Sequence, residues 1–488
     1  MLFNSAEFLV FFLLVLFLYY SLNRTGQIRL LLVSSYFFYM YWIPYYGLLM
    51  LFSTWVDYFC AIQIDQSSEP KRKKFFLAIS LISNLGLLFF FKYLKLFLAS
   101  LEFSGRVLIK GFGGDPSALS FPLWNIILPI GISFYTFQIL SYTIDVYWGK
   151  RSAERNFWVF ALYVSFFPQL VAGPIERSVH LLPQFYQPKT FDYDRVSDGL
   201  KLMVWGFFKK LVIADRVAIY VNQVYGHPWE YQGLTFLIAT YCFAIQIYCD
   251  FSAYSDIAIG SAKVLGFDLM ENFDRPYFAR SVPDFWRRWH ISLSTWFRDY
   301  VYIPLGGNRV SLRRRTFNIY FVFLLSGFWH GANYTFLVWG ALHGLYQVLS
   351  LTTQNRRKHL LKFLKISENN PVLISFQILI TFHLVCFAWI FFRANHLGDA
   401  LFILQEIATG GFRLSEILTP LGKVELFYAG IATLFLIFVE FFQWRGVAFR
   451  SLLSKQTFPV RWSFYLLFPT LILMFGIFAK QEFIYFQF

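Results

Sequence analysis

The chain has 488 residues, of which 57% are hydrophobic and only 15% charged, and Phe alone accounts for 63 of them. A soluble globule would carry roughly 25% charged residues, so composition excludes an ordinary water-soluble domain before any motif is read. The formal net charge of +15 would suggest nucleic acid in a soluble protein. Here the basic residues lie in short gaps between apolar stretches, where Lys and Arg fix topology and anchor lipid headgroups, and no nucleic-acid partner is expected.

The first residues, MLFNSAEFLVFFLLVLFLYY, carry Glu7 in place of a basic leader and show no small-residue cleavage site, so they read as a retained first membrane helix. A helix needs about 20 apolar residues to cross the hydrocarbon core. Stretches near that length fall at 6–22, 28–43, 45–64, 75–99, 121–144, 199–221, 233–262, 372–392, 424–444 and 463–479. Two more are irregular. Residues 156–174 contain Pro168 and end in Gly173-Pro174, and residues 316–349 are interrupted near Trp329-His330-Gly331. Irregular backbone at membrane depth survives only inside protein or beside a wet cavity, so both are expected to be broken or re-entrant.

Positive charge assigns the sides. Lys71 to Lys74, the group Lys150, Arg151 and Arg155, the segment 263–315, the group Arg356 to Lys365, and Arg445 to Arg461 mark cytoplasmic gaps, while 222–232 has no Lys or Arg and should face outward. These agree if both termini lie outside and 316–349 enters and leaves from the cytoplasmic side. The expectation is therefore an all-α polytopic membrane protein, one domain over 1–488, with about ten crossings and two re-entrant elements. No internal repeat is evident, which argues against an inverted-repeat transporter. The four cysteines show no metal-ligand spacing and no metal is expected.

The densest polar chemistry lies in PDFWRRWHISLSTWFRDYVYIPLGGNR. Phe285, Trp286, Trp289, Leu293, Trp296, Phe297 and Tyr300 recur near the helical period, and Arg287, Arg288, Arg298 and Asp299 fall opposite. That pattern predicts an interfacial amphipathic helix over 283–300, tryptophans toward lipid, with His290 on the border between the faces. A plain lipid anchor explains the Trp and Arg residues but does not call for the histidine.

Downstream, FLLSGFWHGANYTFLVWGALHG places His330 within a mostly apolar stretch. Ionisable residues there are costly and face a cavity or a partner. Gly327 and Gly331 beside it admit a close neighbour. A histidine hydrogen-bonded across helices is the plain structural alternative for His330 and His343, and more so for His383. Asp250 and Asp256 are buried acids that suggest a proton path or an orienting hydrogen bond, and Glu176-Arg177 could be a loop pair without chemistry.

The run FWRRWHISLSTWFRDYVYIPLGG, followed by SGFWHGANYTFLVWGALHG, resembles the membrane-bound O-acyltransferase superfamily, closest to its bacterial branch. MLFNSAEFL, LPIGISFYTFQILSYTIDVYWG, FPQLVAGPIER, IYCDFSAYSDIAIG and the terminal FIYFQF resemble it too, so the likeness runs nearly the whole chain, with core motifs over 121–349. That branch includes the membrane subunit of alginate O-acetylation, peptidoglycan O-acetyltransferases and the protein of teichoic acid D-alanylation. The resemblance implies a ring of transmembrane helices around a thin central region with a through-membrane tunnel. It implies His330 as catalytic histidine and His290 as the second catalytic position. It further implies acetyl-CoA as donor, with no permanently bound cofactor, and a separate periplasmic SGNH-type protein as partner. The acceptor would be an extracytoplasmic polysaccharide such as alginate, with peptidoglycan or D-alanyl transfer as alternatives, in the bacterial inner membrane.

Chemistry agrees with the carry-over. Acyl transfer to a hydroxyl needs a base near neutrality, which imidazole supplies. Asn333, Trp329 or the backbone at Gly331 could stabilise the oxyanion. Arg287, Arg288 and Arg298 are candidates for the phosphates of acetyl-CoA, although lipid headgroups would explain them equally. A lipid-linked sugar transporter and a scaffold that recruits a soluble transferase are the rivals from other classes, separable by whether His330 is needed for acetyl transfer.

Overall fold

The computed structural model describes the chain except residues 114, 116, 118, 122–126, 412–413, 479–481 and 487–488, and the side chains of 414 and 415. Part of the expected 121–144 span, the last residue of the 463–479 span and the last two residues of FIYFQF lie outside the described residues.

Every regular element among the described residues is helical. Among the described residues six helices are long and apolar enough to cross a membrane: Tyr46–Gln66, Pro70–Gly111, Leu234–Val264, Pro371–Arg393, Lys423–Trp444 and Phe458–Phe475. Ala6–Ser21 and Phe157–Leu170 are shorter apolar helices. The centre of the fold is Leu234–Val264, whose apolar window is 67% buried, against 6% for Phe458–Phe475 at the periphery. The central helix carries Ala, Gly and Ser positions that let neighbours approach on several sides and buried acids paired with lysines, whereas the peripheral one exposes Leu466, Leu467 and Leu473.

Three spans depart from the expected bounds. The stretch at 75–99 belongs to a 42-residue element interrupted by a π-turn at Phe89–Tyr93. Within the described part of the 121–144 stretch, a helix starts at Ile132, after Gly131 adopts φ +76°. The stretch at 199–221 divides into Tyr193–Phe207, a π-helix at Phe208–Ala214, and Asp215–Gly226. That π-helix carries Lys209 and Lys210. Lys210 Nζ lies 2.7 Å from both Asp215 and Asp250, and Lys209 Nζ lies 2.8 Å from Asp256. Buried charges persist only when paired, so the two acids of the central helix are held by lysines.

Contacts join the ends that charge assigns to the cytoplasm. Tyr20 donates to the Val264 carbonyl, Asp198 accepts from both Lys263 and Arg450, and Arg155 pairs with Asp65 at 2.5 Å. At the other end Arg393 donates to Asn222, which opens the uncharged 222–232 gap. Residues 157–170 are broken at Phe166, as Pro168 predicts.

The 316–349 stretch is a hairpin of two helices, Leu312–His330 and Tyr334–Thr352. Each has 19 residues, and at 1.5 Å per residue each is about 28 Å long, comparable to the hydrocarbon core. The stretch is thus broken at residues 331–333 into two antiparallel helices, as its interruption near Trp329-His330-Gly331 predicts, and neither is among the six candidate spans. Its tip meets the outer end of the fold, because Asn333 donates to the Asn395 carbonyl at 2.8 Å, two residues past Arg393. The glycines beside His330 admit the partner helix. A Cβ on Gly327 would lie 2.3 Å from the Phe336 carbonyl oxygen and 3.1 Å from the Gly340 Cα, so backbone packs on backbone there.

Candidate active site

The polar island does not form one helix. Val282–Arg288 and Ile291–Phe297 are separate, and the chain turns between them at His290, with φ +44° and ψ +55°. A left-handed conformation costs an L-residue roughly 1–2 kcal/mol and clusters at functional positions. The amphipathic period was real, but it describes two short helices that turn their apolar faces into protein. Trp286, Trp289 and Trp296 are 7%, 1% and 6% exposed, and His290 is fully buried instead of sitting on a border. Trp296 Nε1 donates to the Phe137 carbonyl at 2.9 Å, and Trp296 stacks on Phe137.

Turning the chain at His290 delivers its ring to a fixed partner. His290 Nδ1 lies 3.1 Å from Asn272 Oδ1, which also accepts from the Ser292 amide at 3.2 Å and the Ser292 hydroxyl at 3.0 Å. An atom that accepts a backbone N–H must be the amide oxygen, so His290 Nδ1 carries the proton and Nε2 keeps its lone pair. Nε2 is buried and has no hydrogen-bond partner. Sequence reasoning missed Asn272, whose only signal was a polar residue in the basic segment 263–315.

His330 is the last residue of its helix and is 2% exposed. Trp329 and Trp339 each stand edge-on to its ring at 4.9 Å, with Phe392 at 5.4 Å and Tyr485 of the terminal segment at 5.6 Å. The Trp329 ring also faces His290 at 6.2 Å, so one indole separates the two histidines. Neither ring nitrogen of His330 has a partner, nor do Trp329 Nε1 and Trp339 Nε1. These aromatic rings enclose the imidazole.

Two further side chains hold this helix end. Lys92 Nζ donates to the Trp329 and His330 carbonyls at 2.8 Å each, and the Tyr93 hydroxyl donates to the Phe328 carbonyl at 2.9 Å. The terminal segment is anchored by Asp250, which accepts from the Ile484 amide at 2.7 Å. Neither Lys92 nor the anchoring of Ile484 was found in the sequence, although a lysine inside an apolar span was a usable signal.

The remaining histidines separate by their partners. His343 Nδ1 accepts from Trp286 Nε1 at 3.1 Å, so its proton is on Nε2, the opposite tautomer to His290. His383 donates from Nδ1 to the Leu379 carbonyl at 2.8 Å and accepts from the Tyr241 hydroxyl at 2.9 Å, which satisfies it as a packing residue. Asn333 is spent as a helix cap, accepting from the Thr335 amide while donating to Asn395, and so drops out as an oxyanion donor.

The three arginines also part. Arg288 is held by Asp284 at 3.1 Å and Asp274 at 3.7 Å, and Arg298 by Asp299 at 2.8 Å. Arg287 instead lines a cleft of about 470 Å³ together with Arg280, Arg315 and Arg357. Glu176 and Arg177 are not each other's partner: Glu176 accepts from the Met270 amide and meets His180, while Arg177 reaches Asp299. No cluster of three metal-ligating side chains occurs among the described residues.

Residues 154–392 match the model of the MBOAT, membrane-bound O-acyltransferase family. The chain is 39% identical over 420 residues to a Pseudomonas aeruginosa protein named probable alginate O-acetylase AlgI, spanning 86% of this chain and 77% of that one. It is 37% identical over 449 residues to the Pseudomonas putida protein of the same name, spanning 90% and 86%. It is also 35% identical over 437 residues to the Helicobacter pylori peptidoglycan O-acetyltransferase, spanning 83% and 79%.

Proposed function

The chain belongs to the membrane-bound O-acyltransferase family and is a multi-pass, all-α membrane protein, and from that premise we propose that it moves acetyl from cytoplasmic acetyl-CoA across the bacterial inner membrane for O-acetylation of an extracytoplasmic polysaccharide. The observation that carries this reading is a set of buried polar atoms without a hydrogen-bond partner among packed aromatic rings: both nitrogens of His330, Nε2 of His290, and the indole N–H groups of Trp329 and Trp339. Buried polar groups are almost always hydrogen-bonded, so a cluster of exceptions wants a ligand. Two acceptor-capable imidazoles and two N–H donors match the needs of acyl transfer.

The steps follow from those atoms. A hydroxyl attacks the thioester carbon while His330 takes its proton as general base. The carbonyl oxygen gains negative charge in the tetrahedral intermediate, and the Trp329 and Trp339 N–H groups are the donors at hand. The C–S bond then breaks, and the imidazolium returns its proton to the leaving thiolate. His290, with its tautomer set by Asn272, presents a second lone pair for the hydroxyl proton. Arg287 and its neighbours Arg280, Arg315 and Arg357 are assigned to the donor's phosphates. Arg288 and Arg298, each paired with aspartate, are left out of that assignment.

The relay to polymer is assigned to a separate periplasmic SGNH-type protein, which would take the acetyl group on a serine. His330 stands three residues from a hairpin tip bonded to Asn395 at the outer end, which suits delivery to that side. Alginate or a similar exopolysaccharide is the favoured acceptor, because relatives named for alginate match at 39% and 37% identity. Peptidoglycan is the second reading, supported by 35% identity to the Helicobacter pylori enzyme. The test is ester-bound acetate, measured by mass spectrometry on each envelope polysaccharide from a deletion strain complemented with wild type or H330A. Acetate should vanish from one polymer and return only with wild type. Unchanged acetate on every polymer, or full restoration by folded H330A, defeats the proposal.

A further inference from the structure

The helix Leu312–His330 stops at the residue on which the chemistry depends, so its last carbonyls lack intrahelical N–H donors. The backbone then runs extended at Gly331, with φ −164° and ψ +154°. An exposed helix end is commonly closed by a left-handed glycine or by water. Here three successive carbonyls are taken by two adjacent side chains of another element. Tyr93 takes Phe328, and Lys92 takes both Trp329 and His330.

Aiming two adjacent residues at one helix end needs an adjusted backbone. Phe89–Tyr93 is a π-turn inside an otherwise α-helical element, and such inserts re-aim side chains and concentrate at functional sites. The Tyr93 ring also stacks on Phe328 at 4.2 Å, so the pin is held at ring and hydroxyl alike. Lys92 is an unusual choice of cap. No salt bridge to it occurs among the described residues, and its nearest aromatic face is Trp329, with Nζ 5.8 Å from the ring. A half-buried ammonium without a counter-ion is costly. What offsets the cost is the negative end of the helix, whose carbonyl charge a cation at the last turn opposes.

We propose that Lys92 is a positioning residue for acyl transfer: its ammonium pins the carbonyls of Trp329 and His330, with Tyr93 as second pin, and so holds the His330 ring in register with His290 across the Trp329 indole. This rests on His330 acting as the catalytic base. Lys92 acts through the backbone at the helix end, so its loss lowers turnover and leaves donor affinity, set at the arginine cleft, unchanged.

The experiment uses membranes from a strain carrying the full chain and its native acceptor machinery. Label from acetyl-CoA is followed into alkali-labile ester over a range of donor concentrations for wild type, K92M, Y93F and H330A. Hydrogen exchange is measured across residues 327–335 in detergent-purified protein. K92M should lower the maximal rate at least tenfold with KM within twofold, and speed exchange at 331–335 while the helix 234–264 stays protected. Y93F should lower the rate about threefold and carries the test if K92M fails to reach the membrane. Wild-type rate and exchange in K92M, or in Y93F where K92M does not fold, overturn the inference. If H330A keeps its activity, the reading of His330 fails instead; if H330A is dead while K92M and Y93F match wild type, only the positioning role fails.

Discussion

Asn272 Oδ1 stands 3.1 Å from His290 Nδ1 and simultaneously accepts the amide and hydroxyl of Ser292. Three donors converge on one oxygen, so the oxygen fixes both the tautomer of His290 and the left-handed turn that presents it. Replacing Asn272 by Leu leaves buried donors unsatisfied at about 1–3 kcal/mol each. If one such penalty falls on the transition state, acetyl transfer drops roughly 10- to 100-fold. N272D, which keeps an acceptor, should lose less. Rates in membranes, normalised to folded protein by fluorescence-detected size exclusion, check this. Equal rates for N272L and wild type would remove Asn272 from the site.

Gly327 and Gly340 set how closely the two hairpin helices pack. A Cβ on Gly327 would meet the Phe336 carbonyl oxygen at 2.3 Å, and one on Gly340 would meet the Phe323 carbonyl oxygen at 2.5 Å. Backbone cannot swing aside as a side chain does, so Gly327→Ala forces the helices apart and costs about 1–3 kcal/mol, the usual range for overpacking. It also displaces His330, three residues on, so transfer falls with stability. Gly430 is the control, because a Cβ there meets nothing within 4 Å. Gly430→Ala should leave transfer intact and, as a helix-interior Gly→Ala change, stabilise by up to about 1 kcal/mol. Thermal unfolding of both variants in detergent decides; equal behaviour would mean that the hairpin does not depend on this close approach.

The terminal segment is held through Asp250. Its carboxylate accepts from the Ile484 amide at 2.7 Å and pairs with Lys210, which also holds Asp215. Asp250→Leu keeps the Lys210–Asp215 pair neutral but leaves the Ile484 amide without its acceptor. The cost is about 1–3 kcal/mol, concentrated on the tail. The tail then leaves its seat, and with it goes the Tyr485 ring that walls His330 at 5.6 Å. Carboxypeptidase should trim this variant faster than wild type while the rest of the chain stays protected, and transfer should fall in parallel. A tail equally resistant in both proteins would show that it is held elsewhere.

How much of this was legible beforehand depended on whether the information was local. Apolar runs announced most helices, because span length is a property of consecutive residues. His330 and His290 stood out through their motifs as the residues proposed for the site. Yet periodicity over 283–300 predicted one helix facing lipid, since it cannot register a turn at His290 that brings the apolar faces of two short helices against protein. Asn272, Lys92 and Asp250 reach their partners across 18, 238 and 234 residues. Nothing in the sequence near any of them names the partner, and only a lysine or aspartate inside an apolar span hinted that one existed. The three arginines shared one pattern in sequence and diverged in space because two have aspartates within reach and Arg287 does not.

One further contact links the loop at Glu176–His180 to the site and makes stability depend on pH. Glu176 accepts from the Met270 amide at 2.5 Å and lies 2.8 Å from His180 Nδ1. Met270 is two residues before Asn272, so the pair steadies the strand of chain that orients His290. The hydrogen bond to the Glu176 carboxylate raises the His180 imidazole above its ordinary 6.5. A raised folded-state pKa means that the folded protein binds this proton more tightly than the unfolded chain. The stabilisation is therefore fully present below about 6.5 and is lost as pH climbs through the raised value. The His180 side chain is 46% exposed, so solvent screens the effect and the gain is small. H180N removes the charge, and the gap in unfolding temperature between wild type and H180N should be widest near pH 5.5 and close towards pH 8.5. Unfolding scans at those two values, in one detergent and one salt, measure it. A gap that is constant, or that widens at high pH, would mean that the imidazole gains nothing from Glu176.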